Sequence, residues 1–147
     1  MQITDILSPD CTLCAAPGSS KKRILESISQ LAHLHNQNFP ETQILDALLG
    51  RERMGSTGIG QGIAIPHGRI DGLQKITAVL VTCKPGINFD AIDNQPVDVF
   101  FAILVPAEQT EGHLQTLATV AQKLAEKNTI KQIRNAQTNQ ELYEAIL

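Results

Sequence analysis

Tryptophan is absent from this chain of 147 residues, and one tyrosine and four phenylalanines are its only aromatics. The stacking platforms that hold single-stranded bases are therefore missing. The 12 Lys and Arg residues are outnumbered by 15 Asp and Glu, giving a net charge of -3, so the basic footprint of a nucleic-acid-binding protein is missing too. No nucleic acid is expected as a partner. Although 42% of residues are hydrophobic, no run approaches the roughly 18 apolar residues of a membrane span, so the chain is not expected to be membrane-embedded. The stretch from Met1 to Asp5 has neither the basic nor the long apolar region of an export signal. A cytoplasmic location is expected, with the three cysteines reduced. Internal repeats and low-complexity stretches are lacking, which leaves one ordinary domain over residues 1–147.

What is present reads as alternating helices and strands. Ile24, Leu25, Ile28, Leu31 and Ala32 recur at helical spacing up to about His35, with Ser19 or Ser20 placed to cap the start. Pro40 opens a second helical pattern through Ile44, Leu45, Leu48 and Leu49 that stops at Gly55 and carries Arg51 and Arg53 near its end. Strands are predicted over Ile63 to Ile65, Thr77 to Cys83 and Val97 to Val105, the last unbroken enough for burial on both faces. Pro66 should end the first of these, because it cannot donate to a ladder, and His67 should emerge at that strand's end. Thr110 is placed to cap a long helix with a core stripe of Leu114, Leu117, Ala118, Ala121, Leu124 and Ala125, and His113 falls in its first turn. A short segment around Ile130 and Ile133 precedes a last helix from Asn139, opened by the pair Thr138 and Glu141. The fold class implied is α/β: one three-layer domain whose mixed, mostly parallel sheet of about five strands is flanked by helices.

The segment from Gly55 to Gly68 is the least ordinary. Gly55, Gly58, Gly60 and Gly62 preclude a regular helix, and successive backbone N–H groups of such a loop can converge on an anion. Gly60 is followed by Gln61 rather than the Lys of a P-loop, and no G-x-G-x-x-G triple can be built. Serine-hydrolase and zinc-protease patterns are missing as well. What remains is a loop that brings Ser56, Thr57 and free N–H groups near His67, with Arg51 just upstream. Those are phosphate-binding parts around a nucleophile: a neutral imidazole can attack a phosphoryl group while arginine and backbone donors neutralise its oxygens. That chemistry needs no metal and no cofactor.

On these residues, Arg51 through His67 and Gly68, the chain resembles the active-site segment of the mannitol/fructose-type IIA proteins of the bacterial phosphoenolpyruvate phosphotransferase system. More narrowly, with Phe89 to Asp98 and Leu104 to Leu114 added, it is similar to the nitrogen-regulatory branch. The resemblance covers about Lys21 to Leu147. It implies a five-stranded mixed sheet and a histidine phosphocarrier that hands a phosphoryl group to His67. Arg51 and His113 complete the site, and the Ser56-Thr57-Gly58 turn supplies polar contacts to the phosphate. Regulated proteins such as potassium-transport or sensor components are the further partners it implies. Sugar-uptake members pass phosphate on to a IIB domain and are often fused to further domains; no such segment follows here, so a free-standing regulator is expected, with the sugar-uptake component as the alternative.

Plainer roles stand beside these. Arg51 at a helix end can be a partner of the helix dipole, worth about 0.3–1 kcal/mol, and His113 can be a polar residue on a first turn. Cys11 and Cys14 have redox spacing but no helix after them, and His33 and His35, the remaining zinc candidates, diverge on one helix.

Overall fold

The computed structural model of the protein describes residues 1–18, 20–108 and 112–147. Two short 3₁₀ turns, Ile3–Asp5 and Pro9–Cys11, lead into strand β1 (Thr12–Leu13), a pairing too short to be legible in the sequence. Helix α1 (Lys21–His35) is capped by Ser20, whose hydroxyl accepts from Arg23 N, and α2 (Glu41–Glu52) starts behind Pro40. The glycine-rich segment folds as strands β2 (Gly58–Gly60) and β3 (Ile63–Ala64), and β4 (His67–Ile70) follows. Strands β5 (Thr77–Ile87) and β6 (Val97–Pro106) are the long ones. Helices α3 (Gly112–Leu124), α4 (Lys127–Asn135) and α5 (Asn139–Ile146) close the chain. Thr138 caps α5 by accepting from Glu141 N, but the Glu141 carboxylate reaches back to Gln137 N, one residue before the cap.

Among the described residues the sheet has six strands in the order β1-β5-β6-β3-β2, with β4 also paired to β6. The pairs β1·β5, β3·β6 and β4·β6 are parallel, whereas the longest ladder, β5·β6, and the β2·β3 hairpin are antiparallel. Every residue of β6 except Asp98 is buried, and since successive side chains point to opposite faces, both faces of that strand must be covered. Helices α1 and α2 pack together and onto β5 and β4; α3 meets β6, and α5 meets β1. Phe100 and Phe101, adjacent in β6 and fully buried, contribute about 1.5–3 kcal/mol each to this sandwich. The mixed three-layer architecture expected from the alternation of elements is the one observed.

Two expectations need correction. His67 does not close a strand: it opens β4, opposite Ile103, because Pro66 lacks a donor but not an acceptor, and its carbonyl still takes Ile103 N at 2.8 Å. The buried stripe of α3 is also rotated from the expected one. Thr116, Val120 and Leu124 face the core with Leu117 and Ala121 beside them, while Leu114 is 66% exposed and Ala118 and Ala125 face outward. Val120, left out of the sequence stripe, sets the true face. Thr110 lies outside the described residues.

Candidate active site

Helix α2 ends with Arg51 and Glu52, and the chain turns at Gly55 to run back as β2 and β3 toward His67. What brings α2 close enough to β4 is Gly68, where a Cβ would lie 3.1 Å from the carbonyl carbon, oxygen and Cβ of Ala47. One turn further along the helix, Arg51 Nε reaches His67 Nε2 at 3.2 Å. A guanidinium can only donate, so Nε2 is the bare, accepting nitrogen of the ring. His67 Nδ1 then carries the proton and donates to the Ile65 carbonyl at 2.9 Å. Both contacts assign one tautomer, with the lone pair on the nitrogen that faces Arg51.

The ring is half-buried, and burial, with Arg51 and His113 nearby, holds it below the ordinary histidine range against the upward pull of the Ile65 carbonyl and Glu52. At neutral pH it is an uncharged imidazole with its lone pair on Nε2. Arg51 is steadied by a second bond, from Nη1 to the Gly55 carbonyl at 2.8 Å. His113 occupies the first turn of α3, the end at which a helix dipole favours negative charge. Its Nδ1 is buried and finds no hydrogen-bond partner among the described residues, an omission that costs about 1–3 kcal/mol unless a ligand fills it. Arg53, by contrast, is exposed at the C-cap.

The Ser56-Thr57-Gly58 turn lies beside these groups, with both hydroxyls and the N–H groups of Thr57 and Gly58 already engaged. Ser56 Oγ donates to the Phe89 carbonyl at 2.7 Å and accepts from Gly58 N at 3.0 Å. Thr57 donates both its N–H and its hydroxyl to the Glu52 carboxylate. Gly58 is required by crowding, since a Cβ there would sit 2.7 Å from Ala91 Cβ and 2.9 Å from its Cα.

Glu52 is the residue that the sequence reading passed over. It is 8% exposed and ion-paired with Lys21, whose Nζ lies 2.9 Å from Oε1 and 4.6 Å above the Phe89 ring. A carboxylate in the last turn of a helix opposes the helix dipole, and that mismatch was the available signal. Around the site the side chains of Met54 and Ile92, each 83% exposed, together with Leu114 and Ile59, leave apolar surface open. Met54 follows Arg51 by one turn, Ile92 N bonds the Gly58 carbonyl, and Leu114 adjoins His113.

The remaining candidates sit elsewhere. Cys11 is buried, which pushes its thiol up to about 11, and Cys14 Sγ donates to the Ala136 carbonyl. His33 bonds the Phe39 carbonyl, whereas His35 bonds Asp10, and the ligand atoms of Asp10, Cys11 and His35 lie within 4.8 Å of one another; of the four residues weighed for zinc, Cys11 and His35 come together and Cys14 and His33 do not join them.

The sequence profile of the phosphoenolpyruvate-dependent sugar phosphotransferase system, EIIA 2, matches residues 5–147. The nitrogen regulatory protein of Escherichia coli strain K12 is 48% identical over 147 residues, covering 99% of this chain and 90% of its own length. That of Pseudomonas aeruginosa is 41% identical over 148 residues, covering 100% of this chain and 96% of its own. The crystal structure of nitrogen regulatory protein IIA-Ntr from Neisseria meningitidis superposes with a TM-score of 0.91 at 31% identity, over 99% of both chains.

Proposed function

Because the chain belongs to the EIIA 2 family of the phosphoenolpyruvate-dependent sugar phosphotransferase system, we propose that it takes a phosphoryl group from a histidine phosphocarrier onto His67 and regulates other proteins according to its phosphorylation state. The observation that carries the assignment of His67 is its paired contacts, Nδ1 tied to Ile65 and Nε2 presented to Arg51. The Nε2 lone pair attacks the phosphorus of the carrier's phosphohistidine. The carrier's N–P bond breaks, its electron pair returns to the carrier's imidazole, and a new N–P bond forms on Nε2. The proton on Nδ1 stays where it is, and the ring's new positive charge is held by the Ile65 carbonyl. Arg51, released from Nε2 by the incoming phosphorus, turns its donors to the phosphoryl oxygens, and His113 supplies a further donor, which is the positioning and electrostatic work that phosphoryl transfer requires. The turn at Ser56, Thr57 and Gly58 holds this geometry through its hydroxyls and the N–H groups of Thr57 and Gly58, and its polar contact to the phosphate is made by the Ser56 N–H.

Met54, Ile59, Ile92 and Leu114 form the rim on which the carrier docks, an apolar border around a polar centre. The reading places the protein in the cytoplasm with that carrier. No helix among the described residues is long and apolar enough to cross a membrane.

Incubation with phosphoenolpyruvate, the first enzyme of the system and its carrier should add one acid-labile phosphate to the wild type and none to His67→Ala. Stoichiometric uptake by His67→Ala would falsify the assignment. As a regulator, the protein keeps labelled phosphate until it returns to the carrier. Rapid transfer to a fructose-type IIB domain would instead support the sugar-uptake component.

A further inference from the structure

Behind His67 runs an unbroken chain of hydrogen bonds that ends on a buried ion pair. His67 Nδ1 donates to the Ile65 carbonyl at 2.9 Å, Ile65 N donates to the Thr57 carbonyl at 3.0 Å, and Thr57 N donates to both Glu52 oxygens, at 3.2 and 3.3 Å. Lys21 Nζ closes the chain on Glu52 at 2.9 Å. Every contact of the Glu52 carboxyl is to a donor, as an ionised carboxylate requires. The same carboxylate is the anion that acts on His67 through space, against Arg51 and His113.

We propose that Glu52 is a positioning residue for His67: anchored by Lys21, it fixes Thr57, Thr57 fixes Ile65, and the Ile65 carbonyl holds the proton on Nδ1 so that the lone pair stays on Nε2. This rests on His67 being the phosphoryl acceptor, and it extends the site by a residue that touches neither the phosphate nor the ring. Histidines in general owe their tautomer to the bond made by the second nitrogen. Here that bond depends on a carbonyl in a strand interruption, which the ladder leaves free and which therefore needs its own support. Ser56 bonded to the Phe89 carbonyl braces the other side of the turn, under the ring that Lys21 covers.

The test is the tautomer itself, read from the ¹⁵N shifts of His67 at pH 8 in ring-labelled protein without phosphate. The double variant Glu52→Gln, Lys21→Met removes both charges together, so no lone ion is left buried, and its thermal unfolding is recorded to show that it folds. The expected result is His67 shifts moved toward a mixture of tautomers, unchanged shifts for His33, and phosphoryl acceptance slowed by about tenfold or more, the scale of one lost orienting bond. Thr57→Val keeps the backbone links and should retain the wild-type tautomer. Wild-type shifts in the folded double variant, or equal mixing in Thr57→Val, overturn the proposal. Neither result bears on the acceptor, which the phosphate uptake of His67→Ala decides separately.

Discussion

Arg51 Nε and His67 Nε2 lie 3.2 Å apart, so the proposed acceptor nitrogen is capped at rest by the cation proposed to meet the phosphoryl oxygens. The second bond of Arg51, to the Gly55 carbonyl, leaves the guanidinium anchored when the first is exchanged for phosphoryl oxygens. In the proposed transfer, that exchange needs only a turn of the side chain.

Arg51→Ala should therefore slow phosphorylation by the carrier far more than it lowers the unfolding midpoint, since a part-exposed arginine at a helix end supports the fold by only about 0.3–1 kcal/mol. Arg51→Lys should restore part of the rate, because a lysine keeps the charge but loses the planar fork. Stopped-flow transfer rates measured beside thermal melts separate the two effects. Equal rates for wild type and Arg51→Ala would take the arginine out of the site.

His113→Ala should still accept phosphate on His67 but hold it less well. The loss of one hydrogen bond to the phosphoryl group, about 1–3 kcal/mol, shifts the exchange equilibrium with the carrier by about one to two decades. Folding stability without phosphate should not fall through a lost hydrogen bond, since Nδ1 has no partner among the described residues, and relief of that unpaired atom offsets the packing lost with the ring. The ratio of phosphorylated protein to phosphorylated carrier at equilibrium measures the effect, and an unchanged ratio would return His113 to a plain helical role.

His67 should titrate below its ordinary value of 6.5, because burial comes first among its influences and Arg51 and His113 add to it. The folded state then binds fewer protons than the unfolded chain in that window, so stability should be full above the unfolded value and decline as pH falls toward the folded one. His67→Gln cannot take up that proton and should lose less stability than wild type between pH 7 and 5. Proton NMR gives the titration and melts at several pH values give the linkage; parallel curves for the two proteins would contradict it.

Gly58→Ala should destabilise the protein by about 1–3 kcal/mol, as its Cβ would press on Ala91 Cβ and on the Ala91 backbone. Denaturant midpoints at unchanged slope are the measurement. The companion Gly50→Ala, in open space on α2, should be neutral or slightly stabilising.

Much of this was legible in the chain because local chemistry decides it. Ser20, Pro40 and Thr138 mark helix starts through rules that involve a few neighbouring atoms, and all three hold. The grouping of Arg51 with His67 was read from the loop that joins them, whereas the place of His113 in the site came from a family resemblance. What escaped depends on partners far along the sequence: β1 exists because β5 offers it an edge, and β4 because β6 continues past Pro66. The face of α3 was misjudged since leucine at position 114 and valine at position 120 are equally apolar, and only the sheet beneath chooses between them. Glu52 looked like one more surface charge until Lys21 and Thr57 were seen around it.

The interruption at Ile65 and Pro66 leaves the register of the edge untouched: Ile63 and Ala64 face Val99 and Phe100, His67 and Gly68 face Ile103 and Leu104, with the same offset on both sides. The break therefore behaves as a gauge of fixed length. Adding or deleting one residue between Ala64 and His67 would rotate the imidazole to the opposite side of the sheet while leaving the ladder formally intact. Around this segment, a change of length is expected to be tolerated at the hairpin tip at Gln61, ahead of Ile63, or beyond Ile70 rather than inside the break. A library that samples insertions should find the four positions from Ala64 to His67 closed to them, even where every amino-acid identity around the site is kept.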